Sequence, residues 1–376
     1  MEFALQKTIS LLLFILIGFL LKLKFKSPEE VTGLKKIILN LALPATIFIA
    51  LLKVNISMAL ISLPFLAILL NVVLYFITGL MLPLVGIEKN TAIGRTSRLL
   101  VPSLAPGLSS FPFILEFLGD DYLAKAAMAD LGNKVFVLVV LYIIAMKWYY
   151  QNNQDVVGVI GNSRKIKNLF ISILKEPVNI FIFAALLFVV FGVNLTMLPS
   201  FFKDTFSRLS IIMTPLVLIY IGLAFKIKRM QFVQIFSLLM LRAGVILVLI
   251  ASLAMLFGGI NSNTILLIVS FALSACSFWP FAHISLIDSS EKNKNTNAKT
   301  FDSNFAIGVL ALSLPISTLL ILCILSAGNT FSDVFNLLIL GLTCCFLGVF
   351  VVICKSFKSF IKASSTTSKK YSESNA

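Results

Sequence analysis

Charge is what this chain has least of. Only 12% of its 376 residues are Asp, Glu, Lys or Arg, whereas 59% are apolar and the mean hydropathy is +1.02. A soluble domain carries about 25% charged residues and could not bury so much apolar surface, so the solvent is lipid. Histidine is nearly missing: His283 stands alone, which makes a histidine-based metal site hard to build. HExxH, GxSxG and Walker-type phosphate loops are absent too, and with them the commonest hydrolase and nucleotide-binding signatures. The five cysteines, Cys276, Cys323, Cys344, Cys345 and Cys354, fall in or beside apolar stretches without CxxC or Cys/His ligand spacing. Buried free thiols are therefore expected, with no metal and no other cofactor. Few ionisable groups converge at one membrane depth, so the expectation is that the chain is not an enzyme.

What is present is a succession of apolar stretches near the roughly 20 residues a spanning helix needs. Eleven are predicted, at about 3–21, 31–52, 58–81, 99–118, 122–145, 177–193, 201–224, 232–257, 264–287, 301–325 and 331–353. The first is read as a span and not as a cleaved signal, because no small-residue cleavage site follows and Lys22, Lys24 and Lys26 flank it. With the N-terminus outside and the C-terminus in the cytoplasm, 24 Lys and Arg fall in inner loops and span ends, against Lys7, Lys53 and Lys203 outside. That asymmetry fixes the expected orientation in the cell membrane. The net charge of +15 is then topogenic charge facing anionic lipid, and no nucleic-acid partner is called for.

The chain also repeats itself. Leu43-Pro44-Ala45 in span two matches Thr214-Pro215-Leu216 in span seven, 171 residues on. Ser110-Phe111-Pro112-Phe113 in span four matches Phe278-Trp279-Pro280-Phe281 in span nine, with the prolines 168 apart. A third, weaker match pairs Asp130 and Asn133 with Asp302 and Asn304. Five crossings per copy is an odd number, so the second copy enters from the opposite side and the repeats are inverted. The expected organisation is a first five-helix repeat at 1–146, a cytoplasmic loop at 147–175, a second, inverted repeat at 176–327, an extra helix at 328–354 and a disordered tail at 355–376.

Pro112 and Pro280 each remove an amide donor, so spans four and nine are predicted to break where neighbouring protein or water satisfies the freed carbonyls. Half-helix N-termini exposed there suit an anionic group. Ser109, Ser110 and Ser277 could add hydroxyl donors, and Phe111 and Trp279 stand beside the prolines, where packing competes with substrate stacking. Charge inside a span costs about 2.5–3.5 kcal/mol at a helix centre. Asp130 and Lys134, four apart on one helical face, can pair, and Asn133 between them could supply an amide. The pair is a candidate for ion coupling or a structural bridge, and His283 for proton relay or packing. Arg242, about ten residues into span eight, is read as an interfacial arginine whose head reaches water.

Leu39-Asn40-Leu41-Ala42-Leu43-Pro44, Asp130-Leu131-Gly132-Asn133, Glu176-Pro177, and Pro215 with Ile221-Gly222-Leu223 together resemble the auxin efflux carrier family, which is related in fold to bile acid and sodium symporters. The resemblance covers spans one to ten. It implies ten helices with spans four and nine broken and crossing at the membrane centre, and transport of small organic anions such as dicarboxylates or auxin-like weak acids. A coupling proton or sodium ion and a homodimer are partners consistent with it. The chain departs from the family pattern in its eleventh span and in having Glu176-Pro177 where Asn-Pro is usual. A sodium-coupled symporter, a channel and a receptor remain alternatives.

Overall fold

The computed structural model describes residues 2–25, 27–53, 57–152, 171, 174–224, 232–293 and 299–350. These residues are nearly all helical, with no strand among them, and the chain is an all-α polytopic membrane protein. Most of the expected cytoplasmic loop and the whole tail at 355–376 lie outside the described residues.

Each predicted apolar stretch is helical. Span one is α1 (Glu2–Leu21). Span two runs through α2 (Pro28–Ile37), a π-helical turn at Ile38–Ala42 and α3 (Leu43–Leu52). Span three is α4 (Met58–Met81), and span four is split into α5 (Ala92–Leu100), α6 (Pro106–Ser109) and α7 (Phe111–Leu118). Span five joins α8 (Asp120–Val135) through a second π-helical turn to α9 (Leu141–Asn152), and span six is α10 (Pro177–Val190). Span seven comprises α11 (Ser200–Ile211) and α12 (Met213–Ala224), and span eight is α13 (Phe232–Phe257). Span nine is split into α14 (Ser262–Ala272) and α15 (Trp279–Asn293); α16 (Ser303–Ser326) and α17 (Val334–Phe350) complete the bundle. Six of these continuous helical runs are long and apolar enough to cross a membrane by themselves.

Local chemistry sets several starts. Ser27 and Glu30 form a reciprocal capping box at α2, each side chain accepting from the other's backbone N–H at 3.2 Å. Ser57 caps α4 and Asp302 caps α16, the latter accepting from Phe305 N at 2.9 Å. Asp302 is therefore a helix cap at a span end, while Asp130 is buried inside span five, so the two acids are not equivalently placed. Lys125 pairs with Asp121 at 2.6 Å near the start of α8, outside the core.

Outward faces are apolar, as lipid requires. Along α4, Phe65, Leu69, Phe76 and Leu80 are exposed while Asn71, Leu74 and Thr78 are buried. Between helices, glycine allows backbone to meet backbone. A Cβ on Gly132 of α8 would lie 1.8 Å from the Pro64 carbonyl oxygen of α4. Cβ atoms on Gly18 of α1 and Gly222 of α12 would each lie 2.1 Å from a carbonyl oxygen of the facing helix. The eleventh span docks on the eighth the same way, with Gly341 and Gly348 against Val248 and Leu241, and Gly244 against Cys345.

These contacts predict opposite outcomes for one substitution at two sites. Gly132→Ala forces α4 and α8 apart and should destabilise by at least about 1–3 kcal/mol. Gly33→Ala on α2, where nothing lies within 4 Å, should be neutral or stabilise by up to about 1 kcal/mol. Thermal melting of the two detergent-purified variants against the parent checks both signs.

Candidate functional site

Spans four and nine are interrupted at 101–105 and at 273–278, in each case N-terminal to the proline on which the sequence expectation rested. Pro112 and Pro280 instead occupy the second positions of α7 and α15, where a missing N–H leaves no hydrogen bond of the helix unmade. Span four has a further one-residue break at Ser110, whose φ of −125° and ψ of −45° are not helical.

The two unwound segments lie side by side and satisfy one another. Ala105 N donates to Ala275 O at 2.8 Å, Ala275 N to Ser109 Oγ at 3.0 Å, and Ser277 N to Ser103 Oγ at 3.0 Å. Helices behind them supply the rest. Cys276 N donates to Ser313 Oγ of α16 at 3.2 Å, and Arg242 Nη2 of α13 donates to Ser274 O at 2.8 Å. Arg242 is 3% exposed, which corrects the interfacial reading: its head is buried because an unpaired carbonyl there needs a donor.

On the other flank, Asn133 reads the Leu104 peptide as a second strand would. Its Nδ2 donates to Leu104 O at 3.0 Å and its Oδ1 accepts from Leu104 N at 3.3 Å. The same amide donates to Asp130 Oδ1 at 2.8 Å and accepts from Asn71 Nδ2 of α4 at 3.0 Å. Asn133 thus joins span three, the break of span four and the buried acid.

A cavity of about 190 Å³ opens beside this crossing. Lys35, Asp130, Asn133, Lys134, Glu176 and Ser277 supply its polar lining; Leu39, Leu43, Val137, Phe278 and Trp279 are among its apolar walls. Lys134 Nζ lies 3.3 Å from Asp130 Oδ2 and 3.2 Å from Glu176 Oε2, and donates to Asn179 Oδ1 at 2.9 Å. The Lys35 ammonium stands over the Phe278 ring, 5.1 Å from its centroid, a cation–π contact. Two ammonium groups and two carboxylates make the lining formally neutral.

The expected site residues divide into three groups. Asp130, Asn133, Lys134, Ser277 and Trp279 line the cavity. Ser109 is buried and holds the crossing together. Ser110, Phe111, Pro112 and Pro280 are buried in the packing around it and do not line the cavity. His283 also lies off the cavity, edge-on to Tyr142 with ring centroids 5.2 Å apart and with Nε2 buried and unpartnered. The sequence alone does not mark Lys35 as a lining residue, since it falls among the loop charges, and Glu176 enters there only through the Glu176-Pro177 motif and its departure from the family pattern. A signal for the remaining members existed: Asn71 is polar in the middle of an apolar 24-residue helix, and Asn179 sits one turn after Glu176.

This chain is therefore an integral membrane protein of many helices, with a charged cavity where two interrupted spans meet. A comparison with known proteins points to transport: over 230 residues the chain is 28% identical to an uncharacterized transporter of Methanocaldococcus jannaschii, a match covering 59% of this chain and 68% of that protein. No family model matches.

Removing the amide that reads Leu104 should be felt across the crossing. Asn133→Ala leaves a buried N–H and a buried C=O without a partner, at about 1–3 kcal/mol each. Its melting temperature should fall well below that of Thr205→Ala, which removes only an exposed hydroxyl bonded within its own helix.

Proposed function

We propose that the chain is a secondary transporter that moves a small organic anion, such as a carboxylate or auxin-like weak acid, across the cell membrane by alternating access. The observation that carries the reading is Lys134, buried in the cavity at the crossing of two broken spans and held by Asp130, Glu176 and Asn179. In the resting protein its three N–H donors meet these three acceptors and its charge is compensated, so an anion gains them by displacing one or more of the partners. The N-terminal end of α15, at Ser277–Trp279, faces the same cavity and favours an anion there.

Inverted repeats supply the two-sided access. Besides Pro44 and Pro215, Asn71 and Arg242 stand 171 residues apart, in the middle of spans three and eight, and both direct a polar side chain to the network around the breaks. Ser103 and Ser274, also 171 apart, lie in the two unwound segments. The resemblance to auxin efflux carriers and the transporter relative support the same reading. In the expected orientation the N-terminus is outside, the C-terminus is cytoplasmic, and the chain is a carrier and not an enzyme.

Coupling follows from charge. An anion that takes Lys134 leaves Asp130 and Glu176 without their counter-charge, and a proton or a sodium ion restores neutrality. Asp130 is then the coupling residue, with Asn133 keeping the carboxylate in place through its 2.8 Å hydrogen bond.

Proteoliposomes decide between carrier and channel: labelled carboxylates should show counterflow, which a channel does not. Losing a charge-assisted hydrogen bond of about 1.5–3 kcal/mol, Lys134→Ala should bind substrate about 10- to 100-fold more weakly. Asp130→Asn should keep binding but lose the dependence of uptake on a pH gradient, or on sodium if sodium is the coupling ion. Recovery of both protein yield and gradient-dependent transport in the double variant would reduce the pair to a structural bridge.

A further inference from the structure

A second cavity, of about 230 Å³, lies where α5 begins, α9 ends and the segment at 299–302 leads into α16. It is lined by Asn90, Arg95, Arg98, Trp148, Gln151 and Asn152, so both ionic groups in its lining are cations. We propose that this cavity is a binding site for a phosphate group, occupied in the membrane by the phosphodiester of an anionic lipid headgroup.

The two arginines are fixed before any ligand arrives. Arg98 makes cation–π contacts with two rings, its guanidinium carbon 4.8 Å from the Tyr75 centroid and 5.0 Å from that of Trp148. Its Nη2 donates to the Tyr75 hydroxyl at 2.9 Å, its Nε is buried without a partner, and no hydrogen bond to a described residue engages Nη1. Arg95 is anchored through Nε to Thr300 O at 2.8 Å, through Nη1 to Asn90 O at 2.5 Å and through Nη2 to Lys299 O at 3.2 Å, leaving the second N–H of each terminal nitrogen unspent. The carboxylate of Glu291 accepts from Thr300 N and Thr300 Oγ1 and is not part of the lining.

Two pre-oriented guanidinium groups match the oxygens of a phosphate, which accepts paired N–H donors from such forks. The cation–π contacts with Tyr75 and Trp148 compensate for the charge concentration and hold Arg98 in place before a ligand binds. The position selects the lipid source: Arg98 stands one residue before the apolar stretch of span four, and Trp148, Tyr149 and Tyr150 close span five as aromatic residues do at headgroup level. This end also carries the excess of Lys and Arg, where anionic lipid collects.

Lipid exchange into the delipidated, detergent-purified protein tests the assignment, read by native mass spectrometry and thermal melting. Phosphatidylglycerol should remain bound and raise the melting temperature, with phosphatidylcholine giving a much smaller rise. Arg98→Gln should cut phosphatidylglycerol retention at least tenfold, whereas Lys24→Gln, removing an exposed cation expected on the same side, should leave it unchanged. Arg98→Lys keeps the charge without the fork and should fall between, which preserves the test if the glutamine variant does not fold. Millimolar inorganic phosphate is the second arm. A phosphate-dependent rise lost in the Arg98 variants, with no lipid effect, would keep the phosphate site and assign it to a free anion. Equal retention of phosphatidylglycerol by parent and both Arg98 variants, without any phosphate effect, would overturn the proposal.

Discussion

Backbone satisfaction in a medium without water is the constraint on which the rest of this structure depends. Interrupting a helix inside a bilayer exposes peptide groups, each costing several kcal/mol if left alone. The chain interrupts two, and places them so that one break becomes the partner of the other, through the Ala105–Ala275 hydrogen bond and the Ser103 and Ser109 hydroxyls. The remaining groups recruit Asn133, Ser313 and Arg242 from spans five, ten and eight. An otherwise puzzling set of polar residues in apolar helices is thereby accounted for: they complete the backbone of neighbours. Once they gather at one place, the space between them is polar as well, and a charged cavity can exist there.

How much of this could be read beforehand depends on range. The helical spans and their approximate limits were visible because hydropathy is additive along the chain and lipid leaves few alternatives. The Asp130–Lys134 contact was legible because a spacing of four puts two side chains on one face. The breaks were expected in the right spans, and they lie N-terminal to the prolines that marked them, in span four several residues before Pro112. Proline is a marker both of helix interruption and of helix start, and only the three-dimensional partners, Ser103 and Ser109 above all, decide where the chain unwinds. Arg242 was misread for a related reason: a long cationic side chain reaches water by default, and the carbonyl of Ser274 that holds it comes from 32 residues away. Glu176 and Lys35 joined the cavity through contacts between spans that no local pattern encodes.

The chain holds positive charge in three different situations. Lys134 is surrounded by carboxylates and an amide, so its charge is compensated within the protein. Arg95 and Arg98 are held by carbonyls, a hydroxyl and aromatic faces, none of which neutralises a cation. Loop lysines such as Lys24 are solvated. A single count of Lys and Arg, adequate for orientation, merges these three situations, although only the first two place a cation where a ligand could meet it.

The glycine contact between Gly18 and Gly222 bears on biogenesis. Span one has its closest backbone neighbour in span seven, more than two hundred residues later in the chain. During synthesis this helix must therefore wait, its Gly18 seam facing lipid or an insertion factor, until five further helices have been threaded and the seventh arrives. Truncation before residue 222 leaves that seam unmatched, so the first half is assembled by the second.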